Sequence, residues 1–89
     1  MVTVFVRLSV RDFDTWKVAY ATLNDLQQEM GILSHRTFCE ISDSNEVTIV
    51  EDWTSSDQAK AFAEHPKLRS TMMEAGLLEP PEVWFTEEA

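Results

Sequence analysis

The sequence predicts an α+β domain whose elements follow the order β-α-β-β-α-β. Residues 2–10 and 46–53 place apolar side chains at every second position, which is typical of half-buried strands. Residues 13–30 repeat apolar side chains every three or four positions, which indicates an amphipathic helix. The chain has 89 residues, of which 44% are hydrophobic, so it suits one domain with a single core.

The first half of the chain is expected to form a strand and a long helix. The strand spans Val2 to Val10, and one of its faces carries only apolar side chains, at positions 2, 4, 6, 8 and 10. The helix runs from about 13 to 30. Asp12 can accept hydrogen bonds from the first turn as the N-cap, and Gly31 can adopt the left-handed conformation that ends a helix.

The second half is expected to form a hairpin, a broken helix and a last strand. A strand from Ile32 to Ile41 is followed by the turn sequence SDSN and the strand at 46–53, so these two strands should pair antiparallel. A helix starts after Thr54 or Ser55, breaks before Pro66, and continues as a short helix over 66–75. The last strand is EVWFT, residues 82–86.

This order is that of the ferredoxin-like fold, an antiparallel four-stranded sheet with the helices on one face and with its first and third strands in the centre. The second sheet face would be open in a monomer. Either choice of open face exposes apolar residues from several strands, and exposed apolar surface of this extent usually marks an interface. The sequence therefore predicts a homodimer in which two sheets close over each other, with one cleft per subunit.

The charge of the chain excludes two classes of partner. Sixteen acidic residues against seven basic ones give a net charge of −9. Nucleic acids and anionic membrane surfaces both require clustered Lys and Arg, so neither is an expected partner. No stretch approaches the roughly 20 apolar residues of a membrane span.

The cysteine and histidine content argues against a metal site. Cys39 is the only cysteine, so the chain has no internal disulfide and no zinc site built from cysteines, and it is expected as a small buried strand residue. The two histidines have no acid at ligand spacing, so no metal and no other cofactor is expected. A single cysteine and the lack of a signal-peptide pattern predict a cytoplasmic location.

Two adjacent carboxylates, Glu51 and Asp52, lie within the apolar run EVTIVEDW and must point to opposite faces of a central strand. If Glu51 faces the cleft between the sheets beside Trp53, its pKa is raised and it suits proton transfer. Asp52 would then face the helices and cap the next helix or pair with a base. The reverse assignment stays open, because one change of register exchanges the two faces. The alternative role for Glu51 is a salt bridge to Arg7 or Arg36.

Other residues are candidates for the same cleft. His35 could act as an acid or base near neutral pH, or could be a solvated histidine on an edge strand. Arg7 and Arg36 could orient a substrate oxygen, although strand arginines are more often surface or ion-pair residues. Trp53 and Trp84 are the aromatic side chains chosen to line the cleft.

Four segments carry a resemblance to a known superfamily over nearly the whole chain, residues 1–89. They are VFVRLSV, RDFDTWKVAY, SNEVTIVEDWTSSDQAKAFAEHPKL and EVWF. These segments resemble the dimeric α+β barrels that contain the antibiotic biosynthesis monooxygenases. Members include cofactor-independent oxygenases acting on aromatic polyketides, polyketide cyclases and haem-degrading enzymes. The haem degraders use an Asn on the first strand and a Trp on the second helix. This chain has no Asn in its first strand and has Phe62 at the Trp position, which argues against haem degradation.

The resemblance implies a homodimer that binds a small aromatic or quinol-like molecule. As a cofactor-independent monooxygenase it would use Glu51 or His35 as the base and Arg7 or Arg36 to stabilise the anion. A polyketide cyclase or isomerase would need the same acid and base without oxygen. The third hypothesis is a non-catalytic ligand-binding or assembly protein in which Glu51 only pairs with arginine.

Overall fold

The computed structural model describes all 89 residues, as four strands and four helices in one α+β domain. In chain order these elements are β1 (Val2–Ser9), α1 (Phe13–Ala21), α2 (Asn24–Met30), β2 (Ile32–Cys39), β3 (Glu46–Trp53), α3 (Ser56–Ala63), α4 (Pro66–Glu74) and β4 (Glu82–Glu87).

The sheet confirms the predicted ferredoxin-like topology. Its strand order is β2-β3-β1-β4 and all neighbours are antiparallel, so β1 and β3 are the central strands. The register places Glu51 between Val4 on β1 and His35 on β2. Glu51 therefore lies in the middle of the sheet.

The first helical region differs from the prediction of one helix over 13–30. It divides into α1 and α2, because the N–H groups of Thr22 and Leu23 bond to carbonyls three residues back, on Ala19 and Tyr20. The Thr22 hydroxyl also donates to the Ala19 carbonyl at 2.6 Å. This side-chain bond competes with the regular helical pattern and tightens the turn. Gly31 ends α2 at a φ of 103°, as expected.

The second helical region breaks at the predicted place. Ser55 caps α3 by accepting from the Gln58 N–H, so of the two predicted caps Ser55 is the one used. His65 caps α4 through Nδ1, which accepts from the Lys67 N–H at 3.0 Å, and Pro66 occupies the first helical position.

Three expectations about strands are wrong in detail. Val10 has left β1 and makes an isolated bridge with Leu77. β2 ends at Cys39, two residues earlier than predicted. Cys39 is exposed and not buried, since it lies at the very end of β2, which is an edge strand of the sheet.

The two faces of the sheet have different environments. The helix-covered face carries most of the buried core, including Val4, Leu8, Val47, Ile49 and Trp53. The second face, here called the open face, carries no helix. Its side chains include Phe5, Val50, Phe38 and Trp84, of which the three aromatic ones are exposed. An apolar open face is thus present, as the alternation predicts.

Candidate functional site

A cavity of about 80 Å³ lies between the sheet and the helices, and is here called the inner cavity. Its walls are almost entirely apolar. The lining residues that carry a polar side-chain group are Glu51 and Tyr20. The apolar walls come from the central strands, α3, α4, the segment before β4 and β4 itself. They comprise Val4, Val6, Leu8, Ile49, Ala59, Phe62, Ala63, Leu68, Met72, Leu77, Pro81 and Val83. A few convergent polar groups in an apolar pocket are the usual composition of a small-molecule site.

Glu51 is held by two hydrogen bonds from residues of the same layer. The side chain is 5% exposed. Tyr20 on α1 lies with its hydroxyl 3.3 Å from Oε2, and the indole Nε1 of Trp53 donates to Oε1 at 3.2 Å. Trp53 packs against Phe62, with their ring centroids 5.2 Å apart. The carboxyl group therefore has a fixed orientation with its Oε2 edge beside the cavity residue Tyr20.

Tyr20 connects Glu51 to a buried amide on α2. The Nε2 of Gln27 donates to the Tyr20 hydroxyl at 3.0 Å. The Oε1 of the same amide is buried and has no hydrogen-bond partner, although most buried polar atoms have one. The Tyr20 ring is fixed by stacking on Trp16, with centroids 4.9 Å apart. Gln27, Tyr20 and Glu51 thus form one connected polar chain inside an apolar layer.

Burial controls the protonation of Glu51 and Tyr20. Desolvation raises the pKa of Glu51 above its usual value of 4.5, and the hydrogen bonds from Trp53 and Tyr20 partly oppose that rise. Desolvation also raises the pKa of Tyr20, and the nearby charge of Glu51 raises it further. Tyr20 is therefore a neutral hydrogen-bond donor at physiological pH, and Glu51 is a stronger base than an exposed carboxylate.

The two predicted catalytic residues share a sheet face but not the cavity. Glu51 and His35 are register partners and both lie on the helix-covered face. His35 is exposed, and its ring meets the edge of the Tyr20 ring at a centroid distance of 5.6 Å. Of the two, Glu51 alone lines the inner cavity. Tyr20 lies in contact with both residues and is the link between them.

The predicted substrate-binding residues lie on two sides of the sheet. Trp53 is fully buried on the helix-covered face, beside Glu51. Arg7, Arg36 and Trp84 lie on the open face. The structure therefore does not bring these residues into one pocket within the chain, because strand alternation sends their side chains away from Glu51.

The assignment of Glu51 to a cleft between two sheets is reversed. Glu51 faces the helices, and Asp52 lies on the open face, where it accepts hydrogen bonds from Thr3 at 2.7 Å and Ser34 at 3.0 Å. Asp52 does not cap α3. The alternative of a salt bridge from Glu51 to Arg7 or Arg36 is also wrong, since the partners of Glu51 are Tyr20 and Trp53 and Arg7 pairs with Glu40 at 3.3 Å.

Sequence reasoning missed Tyr20 and Gln27 as site residues. The helical pattern treats Tyr20 as an apolar position, whereas its hydroxyl makes the contact to Glu51. In the single helix predicted over 13–30, Gln27 follows Tyr20 by seven positions and would share its face. A polar amide on that otherwise apolar stripe is the available signal of a buried polar contact.

The structure was also compared with the requirements of a metal site and of a membrane-spanning helix. No three His, Cys, Asp or Glu side chains are close enough together to hold a metal ion. None of the helices is long and apolar enough to cross a membrane.

Solved structures share this fold at low sequence identity. A protein solved as an antibiotic biosynthesis monooxygenase has a TM-score of 0.79 at 15% identity, with 100% of this chain and 99% of that chain covered. A Bordetella bronchiseptica protein assigned to the same group has a TM-score of 0.82 at 16% identity, with 99% of this chain and 96% of that chain covered. A mutant of SnoaB, a cofactor-independent oxygenase from Streptomyces nogalater, has a TM-score of 0.78 at 16% identity, with 98% of this chain and 91% of that chain covered. These similarities establish the fold.

The family is established by sequence. No curated protein matches the chain. The sequence profile described as antibiotic biosynthesis monooxygenase, however, matches residues 1–73, which is most of the 89 residues. The chain belongs to the antibiotic biosynthesis monooxygenase family.

Proposed function

We propose that this protein is a cofactor-independent monooxygenase that acts on a small electron-rich aromatic or quinol-like molecule bound in the inner cavity. The observation that carries the proposal is the pair formed by Glu51 and Tyr20, the polar groups of an otherwise apolar cavity. SnoaB, which has the same fold, is a cofactor-independent oxygenase, and this likeness supports the choice of reaction.

Glu51 is the base in this proposal. Its raised pKa makes the ionised carboxylate more basic than an exposed one, and the apolar walls keep water from competing for the proton. The Trp53 N–H fixes Oε1. Oε2, which accepts from the Tyr20 hydroxyl, takes the substrate proton once the substrate displaces that hydroxyl. The neutral Tyr20 hydroxyl can then donate a hydrogen bond to the oxyanion that develops on the substrate.

The electron balance of the reaction requires no added reductant. A substrate CH₂ group next to a phenol or ketone loses one proton to Glu51, and the carbanion transfers electrons to O₂. Oxidation of CH₂ to C=O releases four electrons, which is the number that O₂ accepts when one oxygen enters the product and the other leaves as water. The overall change is CH₂ + O₂ → C=O + H₂O. The carbanion and O₂ form a hydroperoxide, and its O–O bond breaks as the carbon loses its second hydrogen. The water that leaves carries that hydrogen and the proton returned from Glu51.

His35 has a secondary role in this proposal. It is exposed and packs against the Tyr20 ring, so it supports the position of Tyr20, but it does not line the cavity that holds the substrate. Arg7, Arg36 and Trp84 are assigned to subunit contact instead of substrate binding, because they lie on the open face.

The homodimer is the second part of the proposal. Phe5, Phe38 and Trp84 are exposed together on the open face, and the Arg36 guanidinium lies 4.9 Å from the centre of the Phe38 ring. A second copy of the sheet would cover these aromatic side chains, whose exposure to water is unfavourable. Two inner cavities, one per subunit, would then lie outside the shared interface.

A cytoplasmic location completes the proposal. The free thiol of Cys39 is exposed, a state that a reducing compartment preserves. Cell fractionation with an antibody against the chain tests this directly, and recovery outside the cytoplasm would contradict it.

Oxygen uptake is the test of the proposed activity. The probe is anthrone, a ketone whose acidic CH₂ lies between two aromatic rings, and the product expected is anthraquinone with one O₂ consumed per molecule. Wild type should exceed the spontaneous rate, and Glu51→Gln should fall to that rate, while Val18→Ala, an exposed change outside the site, keeps the wild-type rate. Uptake equal to the spontaneous rate would overturn the oxygenase assignment. Anaerobic conversion of a polyketide-like ketone by wild type and not by Glu51→Gln would instead establish a cyclase.

A further inference from the structure

Gln27, Tyr20 and Glu51, here called the buried triad, are joined by two hydrogen bonds, and each bond has a direction. Nε2 of Gln27 lies 3.0 Å from the Tyr20 hydroxyl oxygen, which lies 3.3 Å from Oε2 of Glu51. An amide nitrogen can only donate, and an ionised carboxylate can only accept. While Glu51 is ionised, the single hydroxyl hydrogen of Tyr20 must therefore point at Glu51.

A proton on Glu51 reverses what the carboxyl group requires of Tyr20. The Trp53 indole N–H donates to Oε1 at 3.2 Å, which makes Oε1 the carbonyl oxygen of a protonated carboxyl group. The acidic hydrogen then lies on Oε2, the oxygen beside the Tyr20 hydroxyl. Because Oε2 now donates to the Tyr20 oxygen, the hydroxyl hydrogen of Tyr20 needs another acceptor.

The other end of the Gln27 amide can be that acceptor. Oε1 of Gln27 is buried and has no hydrogen-bond partner. A half-turn about the last side-chain bond, whose torsion has two nearly equivalent minima, exchanges Oε1 with Nε2 and brings the oxygen to Tyr20. Either orientation leaves one end of the amide unpaired, so the amide itself gains little from the exchange. The protonation state of Glu51 therefore decides between the two orientations.

We propose that Gln27 is a positioning residue whose amide turns over when Glu51 takes up a proton, so that the buried triad has two opposite hydrogen-bond directions. In the ionised state, Gln27 donates to Tyr20 and Tyr20 donates to Glu51. In the protonated state, Glu51 donates to Tyr20 and Tyr20 donates to Gln27. The reversal is a property of the protein without substrate, and only its meaning for catalysis rests on the proposed function.

The reversal would couple the two groups that the proposed reaction uses. An ionised Glu51 is needed to accept the substrate proton, and the Tyr20 hydroxyl hydrogen must point toward the inner cavity to meet the oxyanion. In the protonated state Glu51 is no base, and Tyr20 directs its hydrogen to α2. Both groups are then withdrawn together, and the Gln27 N–H restores the direction of Tyr20 when Glu51 loses its proton.

The packing holds the Tyr20 ring in place while the amide turns. The ring stacks on Trp16 with centroids 4.9 Å apart, and the Trp16 N–H points at the sulfur of Met72 at 3.2 Å. Gln27 borders a surface recess of about 360 Å³, where the side chains of Asn24 and Gln28 are exposed and can give way. The turn exchanges an oxygen with a nitrogen of similar size, so no backbone movement is required.

Two other titratable side chains lie beside the buried triad. Lys17 on α1 and His35 on β2 line the surface depressions next to Tyr20 and Gln27, and the His35 ring is centred 5.6 Å from the Tyr20 ring. Around the inner cavity, β1, α3 and α4 contribute only apolar side chains. Proton uptake by His35 is thus the competing cause of a pH-dependent change at Gln27. His35→Asn removes it.

Side-chain amide NMR of the intact protein, labelled with ¹⁵N and ¹³C, measures the orientation of the amide. The spectra are recorded across the pH range in which the Glu51 carboxyl carbon titrates. The Gln27 NH₂ resonances should shift with the same midpoint as that carbon. The nuclear Overhauser effect between these NH₂ protons and the Tyr20 ring should be present above the midpoint and lost below it. Gln28 and Gln58, the other glutamines, are exposed and should show neither change.

Three variants separate a relay through Tyr20 from other causes. In Tyr20→Phe the hydroxyl is absent, so the Gln27 resonances should no longer follow the titration of Glu51. In Glu51→Gln nothing titrates at position 51, so Gln27 should keep one orientation at every pH. His35→Asn should respond as the wild type does. The wild-type Overhauser effect decides the question even where Tyr20→Phe is too unstable to study.

Three results would overturn the reversal. An Overhauser effect of equal strength on both sides of the Glu51 midpoint would mean that the amide keeps one orientation. A Gln27 shift that persists in Tyr20→Phe would be caused by the field of the carboxylate, and a shift that disappears in His35→Asn would be caused by the imidazole. None of these measurements depends on oxygen uptake. A reversal observed without oxygen uptake from anthrone would keep the role of Gln27 and remove only the oxygenase assignment.

Discussion

The hydroxyl of Tyr20 lies 3.3 Å from Oε2 of Glu51, in the layer between the sheet and the helices. The two residues come from α1 and β3, so this contact joins the first helix to a central strand. A substrate that gives its proton to Oε2 must take the place of Tyr20 at that oxygen. The freed Tyr20 hydroxyl can then turn to the oxyanion left on the substrate, which couples substrate binding to charge stabilisation.

Glu51→Gln should change the pH dependence of stability. Burial raises the pKa of Glu51 in the folded protein above its unfolded value near 4.5, so the folded state holds this proton more tightly. The stability linked to Glu51 is therefore complete below about pH 4.5 and is lost as pH rises through the raised pKa. A glutamine side chain carries no charge at any pH, so the variant should lack this decrease. Thermal melts at fixed protein concentration between pH 4 and 8 measure it.

The comparison at two pH values makes this prediction specific to charge. The melting temperature of Glu51→Gln relative to wild type should be higher at pH 8 than at pH 4. Glu40→Gln serves as the control, because Glu40 is exposed and its partner is Arg7. The melting temperature of Glu40→Gln relative to wild type should not be higher at pH 8 than at pH 4. A parallel shift of Glu51→Gln at both pH values would mean that Glu51 keeps its ordinary pKa.

Tyr20→Phe should destabilise the fold by about 1–3 kcal/mol, because it leaves a buried carboxylate oxygen and the Nε2 of Gln27 without partners. Urea denaturation measures this loss. Gln27→Leu should cost less, since it removes the unpaired Oε1 together with the donor. The loss in the double variant should be smaller than the sum of the two single losses, because both changes act on one hydrogen bond. Stability losses that add exactly in the double variant would contradict the hydrogen bond between Gln27 and Tyr20.

Trp53→Phe should lower stability by about 2 kcal/mol, since it removes a buried hydrogen bond and leaves space beside Phe62. The lost hydrogen bond holds the Glu51 pKa down, so that pKa should rise further. The decrease in stability with pH should consequently extend to higher pH than in wild type. Combining Trp53→Phe with Glu51→Gln should remove the pH effect and keep most of the packing loss. An unchanged pH profile in the single variant would argue against the Trp53 contact.

The fold could be predicted because its signals are local. Strand alternation, the capping positions at Asp12 and Ser55, and Pro66 each act over a few residues, and the structure uses all of them. The break at Thr22 depends on which carbonyl its hydroxyl bonds, and that choice is not visible in a periodic pattern. Exposure of Cys39 depends on how far the helices extend over an edge strand, which sequence spacing does not specify.

The site could be predicted only in part. Strand alternation shows which side chains share a sheet face, but it does not show which face the helices cover. The pattern places Glu51 and Trp53 together, and the structure agrees. It does not decide which face the helices cover, so it groups Arg7 and Trp84 with Glu51 although they lie on the other side. Tyr20 reaches Glu51 across 31 positions, a contact that only the packing of α1 on β3 creates.

Trp84→Asp should convert the proposed homodimer into a monomer of 10.2 kDa. Trp84 is exposed on the open face and is the register partner of Phe5, so a charge there would have to be buried against the second sheet. Loss of one aromatic interface residue costs at least about 2 kcal/mol, which weakens dimerisation by roughly thirtyfold. Sedimentation equilibrium over a range of concentrations measures the dissociation constant. Val18→Asp adds the same charge on the helical side and should stay dimeric. A dimer that tolerates Trp84→Asp would place the subunit contact elsewhere and leave the apolar open face without a partner.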